Sequence, residues 1–180
     1  MKRTGTKKIK TDRLVLRKIF PWDLFTVFSW YTSSDISRFA ICRRPFTPYE
    51  AIKLCFGRIF HYYKNDYYYW GIRYNHRIIG VINVYPSKNN DKLFGVCIKV
   101  SSDYKGLGIA SEALSAVLEY FKTQEVSEIV GFCDVENIAS KRVMEKSGMK
   151  IHGSPETNFK IKYDTGEIAK TYCFKFLYKI

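Results

Sequence analysis

The feature that most restricts this chain's fold lies at its middle, where a strand-like run, a glycine-bearing turn and a helix-like run follow one another without a linker. Val96-Cys97-Ile98-Lys99-Val100 is apolar and rich in β-branched residues, and Ser101 to Tyr104 forms the turn. Lys105-Gly106-Leu107-Gly108-Ile109-Ala110-Ser111-Glu112-Ala113 then opens a run in which Ala110, Ala113, Leu114, Val117, Leu118 and Phe121 recur at helical spacing. A strand feeding a helix in this way calls for a sheet with helices packed on it. Gly106 and Gly108 let backbone amides approach an anion closely, and the helix start adds unsatisfied N–H groups and the positive end of its dipole. A diphosphate suits such a nest, with Lys105 adding a formal charge. A helix start that needs glycine only for tight packing is the plainer alternative. The segment is not a P-loop, and Ser111 breaks the dinucleotide pattern G-x-G-x-x-G.

Periodicity fills in the remaining elements. Arg13 to Arg17 alternates apolar and basic residues as a first strand, and Pro21-Trp22-Asp23 starts a helix with Leu24, Val27, Phe28 and Tyr31 near one face. Thr47-Pro48-Tyr49-Glu50 has the form of a capping box, opening a helix that Asn65-Asp66 ends. Tyr67 to Tyr74 and Arg77 to Tyr85 form a hairpin across Asn75-His76; Pro86 to Asp91 is a polar turn and Leu93 to Val100 the next strand. Ser127 to Asp134 is a strand, Asn137 to Ser147 a helix stopped at Gly148, and Met149 to His152 and Lys170 to Tyr178 are the last strands. Thr157 to Gly166 reads as a loop between them. With no repeat or linker, 180 residues suit one domain of the α/β (α+β) class spanning 1–180, with a mixed sheet and helical crossovers in its second half.

Three segments, in order and well separated, resemble the GNAT N-acetyltransferases. Lys105-x-x-Gly108-x-Ala110 is similar to that family's [Gln/Arg]-x-x-Gly-x-[Gly/Ala] acetyl-CoA signature. Asn137-Ile138-Ala139-Ser140-Lys141-Arg142-Val143-Met144-Glu145-Lys146-Ser147-Gly148-Met149 resembles a helix of its RimJ/RimL-like branch, the ribosomal-protein N-terminal acetyltransferases, and Thr11 to Arg17 resembles that branch's first strand. The resemblance implies a GNAT fold: a mixed six- to seven-stranded central sheet flanked by four helices, with a splayed parallel strand pair holding coenzyme A. Leu93–Val100 and Ser127–Asp134 would be that pair. Backbone groups of Ile98, Lys99 and Val100 would meet the pantetheine arm, and amides of Lys105, Gly106, Leu107, Gly108, Ile109 and Ala110 the diphosphate. Asn137 and Ser140 share a helix face that would meet the pantetheine and thioester, Ser140 being the first candidate to touch the reacting centre. An N-cap role for Asn137 is equally open.

The sequence departs from the family pattern at three places. Lys105 lacks the rigid fork of arginine. Met144 stands where several branches carry a tyrosine that protonates the departing thiolate, and Gly95 falls near a strand carboxylate that acts as base in many relatives. A thiol leaving group with a pKa of about 8.5 departs without a strong acid, and backbone N–H groups can hold the oxyanion. Removing the amine proton is harder; water leading to Asp134, Glu136 or Asp103, or else Tyr85 or His152, could do it.

Charge narrows the acceptor. Thirty Lys and Arg against seventeen Asp and Glu give a net charge of +13, which disfavours a polycation and suits a protein or peptide N-terminal amine presented near the ribosome or RNA. A polyamine or aminoglycoside acceptor, or a non-catalytic CoA- or RNA-binding module, is the alternative. Cys42, Cys55, Cys97, Cys133 and Cys173 are odd in number and scattered, which predicts buried free thiols in a reducing compartment. With three histidines, no metal site is expected. The basic start lacks a signal peptide's apolar stretch and no apolar run nears the ~20 residues of a membrane span, so the expected address is the cytoplasm, as a monomer or homodimer.

Overall fold

Alternation of apolar and polar residues builds one mixed sheet, and amphipathic helices cover it. The computed structural model describes residues 4–24, 26–27, 47–87, 90, 92–162 and 168–180, with backbone alone at 51, 156–162 and 168–171. The strands are β1 (Ile9–Lys10), β2 (Val15–Arg17), β3 (Tyr68–Tyr74), β4 (Arg77–Pro86), β5 (Leu93–Val100), β6 (Glu128–Asp134), β7 (Lys150–Ile151), β8 (Glu156–Lys162) and β9 (Ile168–Lys179). Among the described residues the α-helices are α1 (Pro48–Phe60), α2 (Ile109–Phe121) and α3 (Ile138–Lys146). Strand order is β1-β2-β3-β4-β5-β6-β9-β7, with β8 on the free part of β9. None of the described helices is long and apolar enough to cross a membrane.

Local chemistry explains the boundaries. Thr47 Oγ1 accepts from Glu50 N (3.3 Å) while Glu50 Oε2 accepts from Thr47 N (2.9 Å), completing the capping box of α1. Asn75 (φ 42°) and His76 (φ 67°) both take the left-handed conformation that a two-residue hairpin turn requires, and they join β3 to β4. Gly148 (φ 85°) ends α3 as a left-handed cap.

The sheet buries both faces. On one side Leu16, Trp70, Ile82, Phe94 and Ile129 pack against Ala113, Leu114, Val117 and Phe121 of α2. On the other, Ile19, Tyr69, Ile78 and Val81 pack with Val27 and with Cys55 of α1.

The sheet corrects several expectations. It has nine strands, not six or seven, because two-residue β1 is too short to show a period and because residues 156–162, most of them in the expected 157–166 loop, form β8. The helix expected from Pro21 opens as a 3-10 turn over Pro21–Asp23; Phe28 and Tyr31 lie outside the described residues, as does Cys42. Helix α1 stops at Phe60, before Asn65-Asp66, because a 3-10 turn over His61–Tyr63 takes over.

The parallel pair β5/β6 sets up the site. Its register runs from Leu93↔Glu128 to Val96↔Gly131 and stops. Beyond that point β5 still pairs with β4 through Gly80↔Val100, and β6 with β9 through Asp134↔Cys173. Both strands therefore continue while turning away from each other, leaving a wedge between their facing edges.

Candidate active site at the splayed strands

Glycine geometry shapes the first half of the site. Gly106 (φ 80°) and Gly108 (φ 75°) are left-handed, and a Cβ placed on Gly106 would meet nothing within 4 Å. Gly108 is the N-cap of α2, and its carbonyl accepts the helix's first bond, from Glu112 N at 3.0 Å. The N–H groups of Ile109, Ala110 and Ser111 thus lack acceptors within the helix. Lys105 N is already committed to Ser102 O at 3.1 Å, so Lys105 offers only its side chain. Residues Lys105–Gly108 are exposed. An open turn of αL glycines ahead of helical amides without intrahelical acceptors is an arrangement suited to an anion such as a diphosphate.

The turn is pinned from outside. Arg13 Nη1 donates to Leu107 O (3.0 Å), Arg13 Nε donates to Glu112 Oε2 (2.7 Å), and Thr11 Oγ1 donates to Glu112 Oε1 (2.5 Å). Partial burial raises the Glu112 pKa, but hydrogen bonds from Thr11 and Arg13 and the guanidinium charge outweigh it and hold the carboxyl below its ordinary value. These contacts tie the segment before β2 to the first turn of α2, a link the sequence hinted at only through the Thr11–Arg17 resemblance.

The wedge provides the second half. Ile98, Lys99 and Val100 lie on the part of β5 that β6 no longer pairs. Cys97, expected to be buried, is exposed at the same place, because β6 has already diverged. Protein crowding raises its thiol pKa, while Lys99 and Arg58 act in the opposite direction. A Cβ on Gly95 would come within 2.5 Å of the Tyr85 ring and 2.8 Å of its hydroxyl. Gly95 therefore makes room for a phenol at the position where a strand carboxylate was looked for. Burial and then the neighbouring Cys97 raise the Tyr85 pKa, so at neutral pH the phenol is protonated.

Helix α3 closes the far side. Asn137 Oδ1 accepts from Ser140 N at 3.0 Å, so Asn137 caps its own helix. Cys133 is buried, and burial pushes its thiol pKa up to about 11, with the nearby Ser140 acting in the opposite direction. Met144 is buried against Gly131, where a Cβ would sit 2.7 Å from its sulfur; it is a packing residue with no proton to give. Asp134 Oδ1 accepts from Glu136 N (2.8 Å) and closes the β6–α3 turn. His152 is exposed, and its backbone N–H donates to Lys175 O on β9. On α3, Lys141 Nζ lies 4.0 Å from Glu145 Oε1 and also over the Phe174 ring. Among the described residues no group of three or more His, Cys, Asp or Glu is arranged to hold a metal.

Comparison with known proteins gives this geometry a family. Residues 13–150 match the acetyltransferase (GNAT) domain. The chain is 48% identical over 52 residues to the uncharacterized N-acetyltransferase YnaD of Bacillus subtilis, covering 28% of this chain and 31% of that one. It is 25% identical over 148 residues to YoaA of the same organism, another uncharacterized N-acetyltransferase, covering 81% and 84% of the two chains. Among solved structures it is similar to RimL, the ribosomal L7/L12 alpha-N-protein acetyltransferase, in complex with coenzyme A (TM-score 0.81, 15% identity, 97% and 98% covered). It is also similar to spermidine N-acetyltransferase from Vibrio cholerae with CoA and spermine (TM-score 0.75, 16% identity, 94% and 96% covered). The nest at Gly106–Ser111, the four-rung parallel pair and the match over residues 13–150 agree: this chain belongs to the GNAT acetyltransferase family.

Proposed function

We propose that this protein is a one-domain enzyme that transfers acetyl from acetyl-CoA to a primary amine by direct attack in a ternary complex, the acceptor being a protein or peptide N-terminal amine. The observation that carries this reading is the pairing of an anion nest at Gly106–Ser111 with the wedge between β5 and β6. Acetyl-CoA supplies the activated acyl group. The amides of Gly106 to Ala110 and the Lys105 ammonium hold its diphosphate, and the Ile98–Val100 stretch of β5, past the last rung with β6, holds the pantetheine arm and the thioester carbonyl. Asn137 fixes the first turn of α3, so that Ser140 faces the reacting centre. The Tyr85 phenol, protonated at neutral pH, donates a hydrogen bond on the acceptor side and keeps water ordered for loss of the amine proton.

The electrostatics favour a peptide over a polycation. Arg58 and Lys99 are the charged side chains that act on Cys97 at the wedge, and both are positive. RimL, named for acetylating a ribosomal protein, supports this choice; the spermidine enzyme with the same fold is the reason to test it.

Calorimetry with acetyl-CoA, paired with thiol release over a panel of amines, separates the possibilities. Saturable binding lost in Gly108→Glu, with turnover on peptides and none on spermidine or an aminoglycoside, is the expected result. Turnover on polyamines with peptides inert would reassign the acceptor, and binding without any turnover would make the protein a CoA-binding module.

A further inference from the structure

A second cleft lies away from the glycine turn, where the segment before β1 crosses the 3-10 turn that follows α1. Its volume is about 570 Å³, and its walls include Lys7, Lys8, Lys18, Lys64 and Phe20. The walls are built, not draped. Thr6 Oγ1 donates to Tyr67 O (2.8 Å) and accepts from Tyr69 N (2.9 Å), and Trp70 Nε1 donates to Lys7 O (2.6 Å), which fixes the backbone that bears Lys7 and Lys8. Lys18 Nζ reaches Tyr62 O at 3.4 Å and stands 5.3 Å from the Tyr62 ring centre.

Arg17, also in the wall, is neutralised by Asp23 through bonds of 2.6 and 2.9 Å. No carboxylate among the described residues pairs with Lys7, Lys8, Lys18 or Lys64. Among the described residues the cleft therefore holds four ammonium groups with no carboxylate partner, Lys18 and Lys64 each lying over a tyrosine ring. Beside them Phe20 stacks on Trp22, with ring centres 4.8 Å apart and planes 17° from parallel, and 74% of the Trp22 surface is exposed.

An indole left open to water next to a cationic groove is costly for a core and useful for a ligand with both flat apolar faces and regularly spaced negative charges. From this juxtaposition we infer that the cleft binds single-stranded nucleic acid, with phosphates on Lys7, Lys8, Lys18 and Lys64 and a base stacked on Trp22. An acidic peptide would use the charges and leave the indole idle, and a duplex would keep its bases stacked on one another. The inference is independent of the acyl-transfer reading, because the cleft shares no residue with the glycine turn or the wedge.

Fluorescence anisotropy of labelled single-stranded RNA and DNA oligomers of about twelve nucleotides tests it. Neutralising four phosphates predicts a log–log salt slope of about −2.8, a loss of about fiftyfold in affinity between 50 and 200 mM salt. The variant Lys7→Glu/Lys8→Glu/Lys64→Glu should abolish most of that slope. The control Lys92→Glu/Lys150→Glu/Lys179→Glu, with the same change in net charge at exposed sites elsewhere, should leave most of it. Trp22→Ala should weaken binding about five- to 150-fold with the slope unchanged. Acetyl-CoA calorimetry on each variant shows that the protein is folded and reads the other site separately. Equal losses in the cleft and control variants, an inert Trp22→Ala, equal affinity for duplex or polyglutamate, or no binding at all would each overturn the inference.

Discussion

Tyr85 and Gly95 work as a unit: the phenol occupies volume that any side chain at 95 would claim. Gly95→Ala therefore displaces the ring, and overpacking of this kind costs about 1–3 kcal/mol. Melting curves should show that loss, and kinetics should show the same fall in kcat as in Tyr85→Phe, roughly a hundredfold if the phenol's hydrogen bond assists proton loss. Because the Tyr85 pKa is raised, the wild-type rate should show no limb from this group below its ordinary titration range. The acetyl-CoA dissociation constant should not move in Tyr85→Phe. Gly108→Ala gives the opposite pattern. A non-glycine residue at φ 75° costs about 1–2 kcal/mol and sits where the diphosphate binds, so KM for acetyl-CoA should rise far more than kcat falls. None of the Tyr85–Gly95 nesting was legible in the sequence, since it depends on a cross-strand register that nine intervening residues do not announce. The glycine pair was legible, because few other backbones need Gly there.

Two helix starts carry the site, and each is held by a different device. The Thr11, Arg13 and Glu112 contacts tether α2, and the depressed Glu112 pKa means that the folded state prefers the ionised carboxylate. That stabilisation is present above the unfolded carboxylate's pKa of about 4.3 and disappears as pH falls through the lower folded value. The melting temperatures of wild type and Glu112→Gln should thus differ at pH 7 and draw together as pH falls below the ordinary carboxylate range. For α3, Asn137→Ala removes the bond to Ser140 N and should cost about 1 kcal/mol, some 2–4 °C, with Asn137→Asp restoring stability because aspartate caps equally well. Such starts were readable from sequence: the Thr47–Glu50 box, the Asn75-His76 turn and the Gly148 stop all lie where side-chain chemistry demanded them. Helix α1's end was not, because the His61 ring bonds Gly57 O (2.5 Å) one turn back and no spacing rule anticipates that. Strand β8 was missed for a related reason. Glu156-Thr157-Asn158-Phe159-Lys160-Ile161-Lys162 is mostly polar, and it becomes a strand by pairing with β9.

Across the whole molecule, β1–β5 and β6–β9 are two antiparallel sheets joined by four parallel rungs, Leu93↔Glu128 to Val96↔Gly131. Beyond those rungs, Cys97–Val100 and Phe132–Asp134 no longer pair with each other. Hydrogen exchange should therefore show β5 and β6 amides past the last rung gaining protection when acetyl-CoA is added, with the centre of the β3–β4 hairpin unaffected. As a mechanical object the molecule has a seam, bridged on one face by α2 crossing from β5 to β6. Tension applied across it would open the wedge like a torn zip, and a molecule lodged there would act as a stitch. In a force spectrometer the stitch would raise the rupture force of this seam above its value without the ligand.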